Sequence, residues 1–117
     1  MHAKTIAYCL ERLVLLTRQV LPGEATPKIL LVSPIHIGKQ YLDHYQMHAM
    51  FGENAVERSE GIAAALKPIA ENNGCAFFDA ATVAKPSAVD GIHMDLEDGK
   101  KLAEALCEKI RTILPTD

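Results

Sequence analysis

The sequence predicts an α/β fold that is short of strands. Two observations carry this. Elements alternate along the chain as helix, strand, helix, strand, helix, the order of a parallel sheet joined by helical crossovers. Both strands are short runs of continuous apolar residues, as in strands covered on both faces. Two parallel strands and three helices leave at least one sheet edge unpaired. The expected architecture is therefore a partial three-layer fold with strands missing. Another chain, a symmetry mate or a lost N-terminal part would supply them.

The elements follow in order. Lys4 to Val20 reads as an amphipathic helix, with Ile6, Leu10, Leu13, Val14 and Leu16 on one buried face. Pro22-Gly23 stops it. Lys28 to Ser33 is the first strand, an apolar run rich in branched residues. Pro34 to Glu53 has no clean period and reads as a long loop with one irregular helical turn, of the kind that often builds binding sites. Asn54 starts the second helix, with Glu57 completing a capping-box-like pattern. Ile62, Leu66 and Ile69 continue its buried face, and Pro68 should kink it. Asn73-Gly74 ends it. Cys75 to Asp79 is the second strand, and Ala80 to Met94 a loop broken by Pro86 and Gly91. Asp95 caps a last helix from Leu96 to about Leu114, with Leu102, Leu106, Ile110 and Ile113 as its buried stripe.

At 117 residues the chain is one domain at most, spanning residues 1–117. It is 49% apolar and 23% charged, ordinary for a soluble globular protein. A net charge of -3 leaves no basic excess to neutralise phosphates, so nucleic acid is not an expected partner. Aromatics at 5%, with no tryptophan, disfavour a base-stacking surface. Cys9, Cys75 and Cys107 lack metal-type spacing and read as reduced core thiols of a cytoplasmic protein. No apolar run approaches the ~20 residues that span a bilayer, and no membrane association is expected. The N-terminus shows no signal-peptide pattern and runs directly into a helix.

The sharpest chemical feature is Asp90-Gly91-Ile92-His93-Met94-Asp95, just before the last helix. An aspartate three residues before a histidine can fold back and accept the proton of ring Nδ1. That fixes the tautomer, leaves Nε2 free as a base and stabilises the imidazolium that forms. Gly91 permits the tight backbone path.

The order Phe77-Phe78-Asp79, a loop, Asp90-x-x-His93, Asp95 and a helix containing Gly99 and Leu102-Ala103-Glu104-Ala105-Leu106 is similar to the last block of SGNH (GDSL-type) ester hydrolases. Leu30-Leu31-Val32-Ser33-Pro34 looks like the family's fourth strand and the loop after it, and the first helix like the crossover before that strand. The Pro34 to Glu53 loop resembles the arylesterase-like branch, where this region helps wall the acyl pocket. The resemblance covers nearly the whole chain as a C-terminal half. It implies a partial flavodoxin-like sheet, a Ser-His-Asp triad acting on small carboxylic esters, and no metal or organic cofactor. Of the triad only Asp90 and His93 carry over. The family's Gly-Asp-Ser nucleophile motif, its oxyanion-hole glycine and its Gly-x-Asn-Asp block have no counterpart in this sequence.

The serines present are Ser33, Ser59 and Ser87. None sits in a glycine-flanked strand-to-helix turn that would expose a nucleophile. Ser33 lies at the carboxyl end of a strand, where ligands bind in open parallel sheets, and is assigned with His36 and Ile92 to substrate binding. His44 and His48, with Asp43 and His36 nearby, have the spacing of zinc ligands on one helical face, but no Glu follows the first histidine. They read as loop, pocket-wall or subunit-contact residues, and no metal is expected. Two readings of the chain follow. One is a segment of a serine ester hydrolase that supplies Asp and His, associating with an N-terminal half and acting on a small ester. The other is a non-catalytic truncated remnant persisting as a homo-oligomer.

Overall fold

The computed structural model describes residues 2–115. The helices are α1 (Ala3–Val20), α2 (Tyr45–Phe51), α3 (Ala55–Glu60), α4 (Ile62–Asn72) and α5 (Leu96–Ile113). The strands are β1 (Leu30–Ser33) and β2 (Ala76–Asp79). They pair in parallel, Leu31 opposite Phe77 and Ser33 opposite Asp79. Among the described residues they make a two-stranded sheet with no further neighbour.

One face of this sheet has a core. Ala7 and Val14 of α1, Leu31 of β1, and Leu66 and Ala70 of α4 form a buried cluster, with Ile29, Ile69 and Phe77 packed against it. Alanines on both helices let their backbones come close. Full burial of Leu66 contributes about 2 kcal/mol of transfer free energy.

The structure departs from the sequence expectation where burial depends on what lies opposite. α1 buries Ala7 and Val14, but Leu13 and Leu16 face outward. The helix is apolar nearly all round, so its period alone does not choose a face. The expected second helix is two helices, α3 and α4, broken at Gly61, and α4 runs on through Pro68. Asn54 and Asp95 stand at N-cap positions without a side-chain cap bond. The Pro34 to Glu53 loop holds a 3-10 segment, Lys39–Asp43, and helix α2.

The stripe of α5 is not buried as expected. Leu102, Leu106 and Ile113 are half-covered and Ile110 is exposed. The cause is geometric. An 18-residue helix is about 27 Å long, while a four-residue strand spans about 13 Å. Two such strands cannot cover it.

Whole-molecule dimensions say the same. The radius of gyration is 15.9 Å, where a compact domain of this length would have about 13.4 Å. The accessible surface is 7953 Å², against about 6,300 Å² for a folded monomer of this mass. The excess is about twice the roughly 800 Å² that one partner contributes to a standard protein–protein interface.

Candidate active site

The site is built from the turn between β2 and α5. Asp98, in the first turn of α5, is buried, and its Oδ1 accepts from Lys85 N at 3.0 Å, which ties the incoming chain to the helix. From there residues 87 to 93 fold on themselves. Ser87 N donates to His93 O at 2.6 Å, and Gly91 N donates to Ser87 O at 2.9 Å. Ser87 Oγ accepts from Val89 N at 3.1 Å.

Inside this turn Asp90 is held by three donors. Its Oδ1 accepts from Ile92 N at 2.9 Å and His93 N at 3.0 Å. Its Oδ2 faces His93 Nδ1 at 2.6 Å. The hydrogen bond from the His93 ring, and then the two backbone amides, hold the Asp90 carboxyl far below the usual carboxylate range. An ionised carboxylate only accepts, so the network assigns the ring proton to Nδ1 and leaves the Nε2 lone pair free. The Asp90 side chain is 15% exposed and that of His93 69% exposed. One partner is fixed and covered, and the other projects into solvent.

His93 borders an open groove of about 480 Å³ at the carboxyl ends of the strands. Val32, Pro34, Ile35, Ile92, Met94 and Leu102 line it, so its walls are mostly apolar. Of the residues assigned to substrate binding from the sequence, Ile92 is in this wall. Ser33 is not, because strand alternation turns it to the opposite face from Val32. His36 is half-buried and is not among the groove's lining residues.

The serines are buried, Ser33 being 1% exposed and Ser59 and Ser87 each 6%. Ser59 Oγ accepts from Ile37 N at 2.9 Å and donates to Val56 O at 2.7 Å, a structural strut. The histidine pair does not converge. His44 precedes α2 with a buried, unpartnered Nδ1, while His48 Nε2 lies 2.7 Å from Glu53 Oε1. No group of three His, Cys, Asp or Glu side chains is placed to share a metal ion among the described residues.

Sequence reasoning missed the residues behind the turn. Gly91 has φ +70°, and a Cβ there would stand 2.4 Å from Gly38 O and 2.8 Å from Tyr41 N. Its glycine is required by this close approach as well as by its backbone conformation. Gly38 N donates to Gly91 O at 2.8 Å. The one local signal was a glycine, Gly38, in an otherwise bulky loop.

No protein-family model and no curated protein matches the chain. Solved structures do. A carbohydrate acetylesterase family member from Sinorhizobium meliloti is 31% identical, with a TM-score of 0.87 over 97% of this chain and 53% of its own. The native M. smegmatis aryl esterase is 28% identical, with a TM-score of 0.85 over 97% of this chain and 54% of its own. A third solved chain is 34% identical, with a TM-score of 0.87 over 97% of this chain and 52% of its own. The chain thus spans about half the length of the solved proteins it matches.

Proposed function

We propose, for a chain similar to the C-terminal half of an SGNH-type ester hydrolase, that Asp90 and His93 are the aspartate and histidine of an ester-hydrolysing triad. The observation that carries this is the 2.6 Å contact between Asp90 Oδ2 and His93 Nδ1, with the other side of the ring open beside an apolar groove. The nucleophilic serine comes from residues outside this chain. Its Oγ attacks the ester carbonyl while His93 Nε2 takes the proton. As the carbonyl–alkoxy bond breaks, His93 gives that proton to the leaving alcohol. Water then attacks the acyl-enzyme by the same route and releases the acid. Asp90 keeps the ring in the Nδ1–H tautomer and stabilises the imidazolium. The solved relatives carry the names carbohydrate acetylesterase and aryl esterase, which supports small acetyl esters as the substrate class.

The partner this reading needs is an N-terminal half with at least one strand. α1 packs on α4, the crossover helix between β1 and β2, and so lies on that side of the sheet. With right-handed crossovers, a strand entering through α1 would pair with the edge of β1 away from β2. The excess surface fits such a partner. It also favours the second reading, a non-catalytic remnant whose bare faces meet between copies in a homo-oligomer. Cys9 and Cys107 are exposed and Cys75 half-buried, so they are not the core thiols expected, but all three are free, which fits a reducing cytoplasmic setting. No helix among the described residues is long and apolar enough to cross a membrane.

The test fuses this chain behind the portion of the S. meliloti relative that it does not match, and follows p-nitrophenyl acetate hydrolysis. The chain alone is expected to show no turnover and no fluorophosphonate adduct. The fusion should turn over, and His93→Ala should lower kcat at least ~10⁴-fold without unfolding it. Equal rates for the fusion and its His93→Ala variant would refute the triad assignment. An adduct on the isolated chain would refute the absent nucleophile.

A further inference from the structure

We propose that the turn Gly38–Tyr41 is the rear support of the Asp90–His93 pair, with Gly38 and Tyr41 as positioning residues. This rests on the triad reading for its catalytic meaning, but its structural content stands apart from turnover.

The argument starts from what does not hold His93. Its ring is 69% exposed, so packing cannot fix its direction. Its aim must come from Asp90 and from the backbone of the turn that carries both. That backbone is tied on one side by Ser87, through the bonds to His93 O and from Gly91 N. On the other side it rests against Gly38, which donates to Gly91 O and whose carbonyl fills the space a Gly91 side chain would need. Gly38 is itself closed in. A Cβ there would stand 3.0 Å from Pro86 Cγ and 3.4 Å from Gly91 Cα.

The support is anchored in turn. Gly38 O accepts from Tyr41 N at 3.2 Å. Tyr41 is the most buried aromatic of the chain, at 0% exposure. Its hydroxyl donates to Gly52 O at 2.6 Å and accepts from Ala55 N at 3.3 Å, at the start of α3. Ile37 N donates to Ser59 Oγ within α3. The chain of contacts therefore runs from α3 through Tyr41 and Gly38 to Gly91, the residue after Asp90 and two before His93. Removing the Tyr41 hydroxyl strands the buried Ala55 amide, releases the carbonyl of the exposed Gly52, and loosens the pin without a change of shape.

The readout is the tautomer balance of the neutral His93 ring in the isolated chain, taken from its side-chain ¹⁵N shifts. Tyr41→Phe should lower the ratio of Nδ1–H to Nε2–H forms about fivefold, the worth of one hydrogen bond, and Gly38→Ala by at least as much. Val14→Ala, which destabilises the core far from the turn, should leave the ratio at the wild-type value. If Gly38→Ala does not fold, Tyr41→Phe decides. An unchanged ratio in folded Tyr41→Phe, or an equal loss in Val14→Ala, overturns the proposal. Neither result depends on ester hydrolysis, so failure of the support and failure of the triad reading are distinguishable.

Discussion

Leu31 and Val32 are neighbours in β1 and meet opposite environments. Leu31 joins Leu66 and Ala70 in the core formed with α1 and α4. Val32, on the other face, stays 38% exposed beside α5. The same two strands thus carry a finished core on one side and an unfinished one on the other. The sheet fails for want of both length and width, since two four-residue strands are all that lies under the 18-residue α5. The candidate site lies at the rim of the unfinished side, and its groove includes Val32 and Leu102, residues that a wider sheet would partly cover. The turn itself does not share this incompleteness. It is closed by its own hydrogen bonds and by Gly38, which Tyr41 links to α3, all from within the chain.

The comparison breaks first at the site. In an assembled esterase, Asp90→Asn should lower kcat by about 10⁴-fold, because an amide in place of the carboxylate favours the wrong ring tautomer. Thermal stability should stay within about 1 kcal/mol, since the turn is at the surface. A loss of activity explained by unfolding would instead make Asp90 a structural residue. The next largest effect tests the finished side. Leu66→Ala should destabilise the chain by about 2–5 kcal/mol in denaturant unfolding, the cost of a core cavity. Ile110→Ala, on the unfinished side, should change the isolated chain by no more than about 0.5 kcal/mol. If the two substitutions cost the same, α5 is packed in solution and the comparison of faces fails.

What was legible in the sequence divides along the same line. Element order and both strands follow from local pattern, because period and breakers act over a few residues. Asp90-x-x-His93 was legible for the same reason, since its hydrogen bonds close within four residues. The face of α1 and the stripe of α5 were misread because burial is decided by what packs opposite, and two four-residue strands offer an 18-residue helix little surface. Ser33 looked like a ligand-end residue, but strand alternation turns it from the groove. The support behind the site was illegible for a further reason. Gly38 and Gly91 meet across most of the fold's crossover, and no local pattern announces a backbone contact between distant loops. Gly91 was read as a residue that permits a turn, which its φ of +70° bears out, but the Gly38 carbonyl that also forbids a side chain there was not foreseen.

The smallest expected effect is also the sharpest test of whether the turn is complete without a partner. Asp90 has a folded-state pKa depressed below its ordinary 3.8 by the His93 ring, then by the amides of Ile92 and His93. A depressed carboxyl stabilises the fold at pH values above its unfolded pKa, and that contribution is lost as pH falls from there through the folded value. The turn is near the surface, so the effect on global stability is small and should be read locally. In the isolated chain the ¹³C carboxyl shift of Asp90 should keep its ionised value down to about pH 3, where an ordinary aspartate is mostly protonated. A midpoint at 3.8 would mean that the Asp90–His93 geometry forms only when another half is present. The turn would then belong with the unfinished face of the sheet and not with the finished one.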